Sequence, residues 1–357
     1  MIADQGRLDA LVSSVIDSPW VAIDTEADSL HAYPEKLCLL QISLPDRDEL
    51  IDTLAGLDLD KLLSAFHDHE LILHGADYDL RLMKRTYDFE PDRLFDTMIA
   101  ARLLGETQFG LGHLVQKFLG IALEKGPQKM NWAQRPLTAR MEAYARNDTH
   151  YLKPLSELLR KELKERGRLT WLQQSCRQLI ADCAVIRAPD PDVWRLKGSD
   201  RLSDRGRGVL REIWQWREKE AVAANRPPFF VLSHDDSVHI AAQASHSTLE
   251  DLRLPARFSA RRRDSLLDAI DKGLRLPESE LPKRRPREFN HPDVQMLRRF
   301  HNLKKKRDEA ATKHGIDPTL IAAKADLLEL ARDPGNSELH VLPWQLALLG
   351  IGDKTKH

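Results

Sequence analysis

A change of period near Asp96 constrains this chain more than any other feature. Before it, short apolar runs rich in β-branched residues alternate with segments of helical spacing. After it, apolar residues recur almost everywhere three or four positions apart. WVAID (20–24), KLCLLQISL (36–44), DELIDT (48–53) and ELILHG (70–75) have the length and composition of strands. LAGLDLDKLLSAFHDH and YDLRLMKRTYDF, between them, have helical spacing. A mixed sheet with helices packed on it fits that order.

The chain has 357 residues, too many for one ordinary core, so several domains are expected. The expected division is an α/β domain over 1–170, a helical linker over 171–200, an all-α domain over 201–282 and a last all-α domain over 288–357. Two Pro-punctuated segments, APDPDVW and LPESELPKRRPREF, mark the joints. The two helical domains are similar in size, which leaves a distant duplication open.

A hydrophobic share of 42%, a charged share of 31% and a mean hydropathy of -0.46 suit a soluble globular chain. No apolar run approaches the ~20 residues of a spanning helix. The opening MIADQGRLDALV carries acids where an export signal wants bases, so a cytoplasmic location is expected. Cys38, Cys176 and Cys183 form an odd set with no CxxC pair, which reads as reduced thiols. Seven residues apart in a helical pattern, Cys176 and Cys183 are expected to share a buried face. The net charge of -1 predicts no partner, but its distribution is uneven. Lys283–Lys313 and Arg257–Arg263 are strongly basic, which suits either contact with a phosphate backbone or a solvated helix face.

The segment VAIDTEADSL concentrates the chemistry. On a strand, residues two apart face the same way, so Asp24 and Glu26 share a face and call for a common proton or cation. Alone, such a pair also suits a solvated strand end. ILHGADYDLRLMKR reads as a strand, a Gly-containing turn and a helix with Asp79 in its first turn, where a carboxylate also favours the helix dipole. In EAYARNDTHYL, Tyr144 and Asp148 lie four apart and stack on one helix face. Acids on a first strand, an acid opening a later helix and a Tyr–Asp pair on a third element suit a pair of divalent cations. Two such ions about 4 Å apart assist in-line phosphodiester hydrolysis.

Asp24 and Glu26 in DTE, Asp79 in HGADYD, and Tyr144 with Asp148 in YARND resemble the three motifs of the DEDDy 3′–5′ exonucleases. FDTMIAARLLG, LVQKFLGIALEKG, NWAQRPLT and YLKPL narrow the resemblance to the bacterial ribonuclease D branch. LREIWQWREKEAVAANRPPFFVLSHDDSVHIA with SLLDAIDKG resembles an HRDC domain, and LPWQLALLG resembles the terminal helical domain of the same branch. Arg146 and Asn147 depart from the small residues more usual between the Tyr and the Asp.

The resemblance implies an RNase H-like mixed sheet with flanking helices, followed by two all-α HRDC-like domains. It implies that Asp24, Glu26 and Asp148 hold one metal ion, that Asp24 bridges to a second supported by Asp79, and that Tyr144 orients the attacking water. Glu26 is also expected near the terminal ribose hydroxyl. The cofactor implied is two Mg²⁺, or Mn²⁺. The implied partner is RNA with a free unpaired 3′ end, typically precursor tRNA, trimmed to nucleoside 5′-monophosphates, with no membrane involved. DTEADSL also resembles the matching stretch of the DNA polymerase I proofreading exonuclease, which makes Leu30 a wedge against the terminal base. Asp28 and Ser29 are expected to turn the chain before it. Arg261 and Arg262 are expected to contact substrate phosphates.

His74 is expected to be structural rather than a ligand. Trp214 and Trp216, two apart on a helix, cannot share a face, so at least one is expected in a core. Two rival functions remain. One is a 3′–5′ DNA exonuclease, and the other is an inactive nucleic-acid-binding protein, against which the five filled motif positions argue.

Overall fold

A computed structural model describes residues 1–124, 126, 129–186, 190–285, 293–333 and 341–351. The chain packs as two compact units. The first comprises Met1–Ala27, Leu37–Ile186 and the described residues beyond 290; the second comprises Asp28–Lys36 and the described residues of 187–289.

The first unit is built on five strands: β1 (Val21–Ala27), β2 (Leu37–Leu44), β3 (Arg47–Asp52), β4 (Glu70–Leu73) and β5 (Arg93–Asp96). Their order is β3-β2-β1-β4-β5. β1, β2 and β3 pair antiparallel, while β1, β4 and β5 pair parallel, so β1 lies at the centre where the sense changes. The four strands expected from sequence are present. The fifth, RLFD, carries too few residues to show alternation, and it ends on the Asp96 at which the sequence pattern turns helical.

Helices cover the sheet: α1 (Gln5–Ile16), α2 (Asp60–Phe66), α3 (Asp77–Tyr87), α4 (Thr97–Leu103), α5 (Leu111–Leu119), α6 (Ala139–His150), α7 (Leu152–Glu165) and α8 (Leu169–Ala184). Every residue of β2 is buried, as expected for a strand covered on both faces. The long helical stretch from Thr138 breaks into α6 and α7 at Tyr151, which closes the first helix and opens the second.

The expected boundary at 170 does not separate two bodies. α8 buries Leu172, Cys176 and Cys183 in the same core as the sheet, so the 171–200 segment is no free linker over that helix. The three thiols are free and buried.

The second unit contains α9 (Asp204–Ala224), α10 (Pro228–Val231), α11 (His234–Ala244) and α12 (Ala260–Leu274) around one core. Trp216 is buried there with its indole N–H donating to Ser265, and Trp214 packs half-buried against the same core. The segment Asp28–Lys36 joins this unit. In it, the Tyr33 hydroxyl donates to Glu218 at 2.5 Å and the Tyr33 N–H donates to Asn225 at 3.3 Å.

The last helices are α13 (Val294–His314), α14 (Pro318–Ile321), α15 (Lys324–Arg332) and α16 (Pro343–Leu348). They were expected to form a separate domain, yet they share the core of the first unit through Ala311, Ile316, Ile321, Leu327 and Trp344. The buried Arg168 adds a polar tie to this shared core. Its guanidinium donates to the carbonyls of Leu103 at 2.7 Å and His314 at 2.6 Å, the last residues of α4 and α13. A cation at two helix C-termini meets two favourable dipole ends. Gly105 and Gly315 meet so closely there that a Cβ on Gly105 would lie 2.1 Å from the Gly315 carbonyl oxygen. The linker residues 187–189 and 286–290 lie outside the described residues.

Candidate active site

The parallel pairing of β1 with β4 runs only through Val21 and Ala22. Asp24, Thr25 and Glu26 therefore project past the end of β4 on that side, at the switch from parallel to antiparallel neighbours. Crevices at such switch points are where open α/β sheets bind ligands. On the other side β1 stays paired to β2, with Asp24 opposite Gln41 and Glu26 opposite Leu39, so the strand is held rigidly.

Asp79 fills the place a strand would have taken. Its Oδ1 accepts from the Thr25 N–H at 3.2 Å and from the Thr25 hydroxyl at 2.5 Å. The start of α3 that carries it is fixed by the buried Asp96, which accepts four backbone N–H groups. Those of Gly75 and Ala76 lie at 3.1 and 2.8 Å, and those of Met98 and Ile99 at 2.8 and 3.1 Å. One carboxylate thus caps α4 and holds the turn into α3.

α6 brings Tyr144 and Asp148. The Thr138 hydroxyl caps it at the Met141 N–H. Arg146 donates to the Asp48 carbonyl at 2.6 Å, and the Thr149 and Ser43 hydroxyls meet at 2.7 Å. The departure at Arg146 thus serves to seat α6 on the β2–β3 edge. Arg135 of the RPLT stretch clamps Asp52 with two bonds of 2.7 and 2.6 Å and reaches the Cys38 and Trp132 carbonyls. Trp132 is buried, and its ring lies 6.1 Å from that of Tyr144. On Gly126, a Cβ would lie only 1.5 Å from Tyr144 Cδ2, so only a glycine allows the chain to pass over the ring.

Carboxylate oxygens of Asp24, Glu26 and Asp148 come within 4.8 Å of one another. With Thr25, Asp79 and Tyr144 they line a cleft of about 640 Å³, whose wall continues through His74, Tyr78, Met98, Gly110–His113 and Leu123. Burial, and for most of them repulsion from neighbouring carboxylates, raises the pKa of each of these carboxyls. Asp24 is raised well above the usual range by burial, then by Asp79, Asp148 and Glu26. Glu26 is pushed up to about 9 by burial and by Asp148 and Asp79. Burial raises Asp148 to about 7 against the hydrogen bond from Tyr144, and raises Asp79 to about 6 against those from Thr25.

Leu30, Arg261 and Arg262 belong to the second unit. Leu30 is 41% exposed in the Asp28–Lys36 segment. The chain turns there because the buried Asp28 carboxylate accepts from the Lys36 N–H at 2.7 Å, while the Asp28 carbonyl accepts from His31 and Ala32. Arg261 and Arg262 lie in the second unit, and both guanidiniums bind Glu220, at 2.7 and 3.1 Å. Their charge is partly spent on that carboxylate.

Thr25 and Gly126 are not singled out by the sequence, which marks Asp96 only as the point where the pattern turns helical. Asp96 before a helical run is a legible cap signal. Thr25 and Gly126 owe their roles to partners far along the chain, and no local pattern marks them.

The first 164 residues match the family model described as "3'-5' exonuclease". Ribonuclease D of Gluconacetobacter diazotrophicus is 31% identical over 98% of this chain and 90% of that protein. This chain belongs to the ribonuclease D family. Ribonuclease D of Jannaschia sp. is 32% identical over 99% of this chain and 98% of its own length. Among solved structures, Escherichia coli RNase D superposes with a TM-score of 0.75 at 26% identity, covering 93% of this chain and 89% of that one. That protein is described as an exoribonuclease involved in structured RNA processing. The family supports a 3′–5′ exoribonuclease on RNA. No helix among the described residues is long and apolar enough to cross a membrane.

Proposed function

We propose that this protein shortens RNA from an unpaired 3′ end, releasing nucleoside 5′-monophosphates, with two divalent cations (Mg²⁺ or Mn²⁺) at Asp24, Glu26, Asp79 and Asp148. The observation that carries the reading is the convergence of the Asp24, Glu26 and Asp148 carboxylates within 4.8 Å. Their ionisation is suppressed without a counter-charge, and their oxygens are the hard donors that Mg²⁺ prefers. The residues therefore fit the group. When bound, such a pair of cations acidifies a water and stabilises the attacking and leaving oxygens of phosphodiester hydrolysis.

The side chains divide the remaining work. Thr25 fixes Asp79 through two hydrogen bonds, so that carboxylate keeps one orientation. The Tyr144 hydroxyl bonds Asp148, and a phenol, with a reference pKa near ~10, is a poor base at neutral pH. It orients water in the cleft rather than taking its proton. Tyr144→Phe should slow hydrolysis while metal affinity is kept; a loss of affinity equal to that of Asp24→Ala would refute this division. The second unit is read as an HRDC domain and the α13–α16 helices as HRDC-like, with Arg261, Arg262 and Leu30 as substrate contacts. Precursor tRNA is the proposed cellular substrate, and the cytoplasm the proposed location.

The test uses 5′-labelled single-stranded RNA and DNA of equal sequence, with Mg²⁺, with EDTA and with Asp24→Ala protein. Stepwise shortening of RNA that both controls abolish supports the reading. Faster shortening of DNA would overturn the RNA assignment, and binding without shortening would overturn the enzymatic one.

A further inference from the structure

His74 follows the last residue of β4 and lines the same cleft as the carboxylates, although the proposed reaction gives it no task. Its Nδ1 lies 2.9 Å from the Thr97 hydroxyl oxygen. Thr97 is fully buried, and its single hydroxyl proton is directed to the Leu73 carbonyl at 3.1 Å. The Thr97 oxygen is therefore left to accept, and His74 Nδ1 must carry the proton. In a neutral imidazole that assignment leaves Nε2 with a lone pair. Among the described residues Nε2 has no hydrogen-bond partner, and His74 is one of the residues that line the cleft. Burial lowers the ring's pKa against the pull of Asp96, which favours the neutral form.

The cleft thus contains a fixed, neutral acceptor alongside carboxylates that are committed to cations. An acceptor of this kind reads a hydroxyl donor. RNA and DNA differ by one such donor on each sugar. We propose that His74 Nε2 accepts a hydrogen bond from the 2′-hydroxyl of the 3′-terminal ribose and so makes the site prefer RNA ends. The proposal rests on the exoribonuclease reading above. Thr97 serves as a positioning residue, because its oxygen decides which imidazole nitrogen keeps the lone pair.

The size of the preference follows from the openness of the site. A neutral hydrogen bond that water can replace changes rates about tenfold, far less than a sealed pocket would. The experiment compares two RNAs that differ only in a 2′-deoxy sugar at the 3′-terminal nucleotide and reads the ratio of their kcat/KM values. Wild-type protein should favour the ribose end by about tenfold. His74→Leu should bring the ratio to about one, and His74→Gln, which retains an acceptor, should restore part of it. Thr97→Val, which frees the ring to take the other tautomer, should lower the ratio about threefold and gives an independent reading if the leucine variant is unstable. A ratio that stays at its wild-type value in His74→Leu or Thr97→Val, including equal losses on both substrates, would overturn the proposal. Failure of wild-type protein to shorten either RNA would instead overturn the exoribonuclease reading.

Discussion

Replacing Glu26 by Gln removes one ionisable group from the cleft and keeps its shape. In the folded chain without metal, Glu26 is raised from 4.5 to about 9 by burial and by Asp148 and Asp79. A raised carboxyl stabilises the fold below its unfolded pKa, and that contribution is lost as pH rises toward the folded value. The window is therefore about pH 5 to 9. Each unit of pKa difference is worth about 1.4 kcal/mol, and between pH 5 and pH 8 three units are traversed. Water entering the open cleft reduces the resulting penalty to about 1–3 kcal/mol. For a unit of this size that is roughly 2–10 °C in Tm. Thermal melts in EDTA should find the wild type and Glu26→Gln alike at pH 5, with the variant progressively more stable toward pH 8. Saturating Mg²⁺ should raise the wild-type Tm and close the gap. A wild-type-to-variant difference that does not change with pH would refute the electrostatic account.

Three further outcomes follow from named contacts. Gly126→Ala places a Cβ 1.5 Å from the Tyr144 ring, so kcat on labelled RNA should fall at least about tenfold with Mn²⁺ affinity unchanged. Asp96→Ala strips the acceptor from four backbone N–H groups, which should cost about 2–4 kcal/mol in urea melts. Arg168→Met leaves the Leu103 and His314 carbonyls unpaired, so limited proteolysis should release the α13–α16 helices faster, with a loss of about 2–4 kcal/mol.

Much of the site was legible in the sequence because its residues act through local periodicity. The two-residue spacing of Asp24 and Glu26 and the four-residue spacing of Tyr144 and Asp148 fix shared faces whatever the surrounding fold. β5 escaped because RLFD is four residues long and merges with the helix that Asp96 caps. The packing of Asp28–Lys36 with the second unit escaped for a different reason. The partners of Tyr33 are Glu218 and Asn225, 185 and 192 positions away, and no local pattern announces them. The attachment of α13–α16 to the first unit likewise rests on distant partners, an apolar core shared through Ile316, Ile321 and Trp344 and an Arg168 bonded to a carbonyl 146 positions on. The basic run from Lys283 to Lys313 falls partly on α13, where Lys304, Lys305 and Lys313 are exposed, and partly on residues outside the described set.

The central claim is that Asp24, Glu26, Asp79 and Asp148 are gathered to hold divalent cations. Anomalous diffraction from crystals grown with Mn²⁺ tests it most directly. Two peaks about 4 Å apart are expected, one of them ligated by Asp24, Glu26 and Asp148 and both absent in Asp24→Ala. A cleft that remains free of manganese at saturating concentration, or peaks ligated by other residues, would contradict the account.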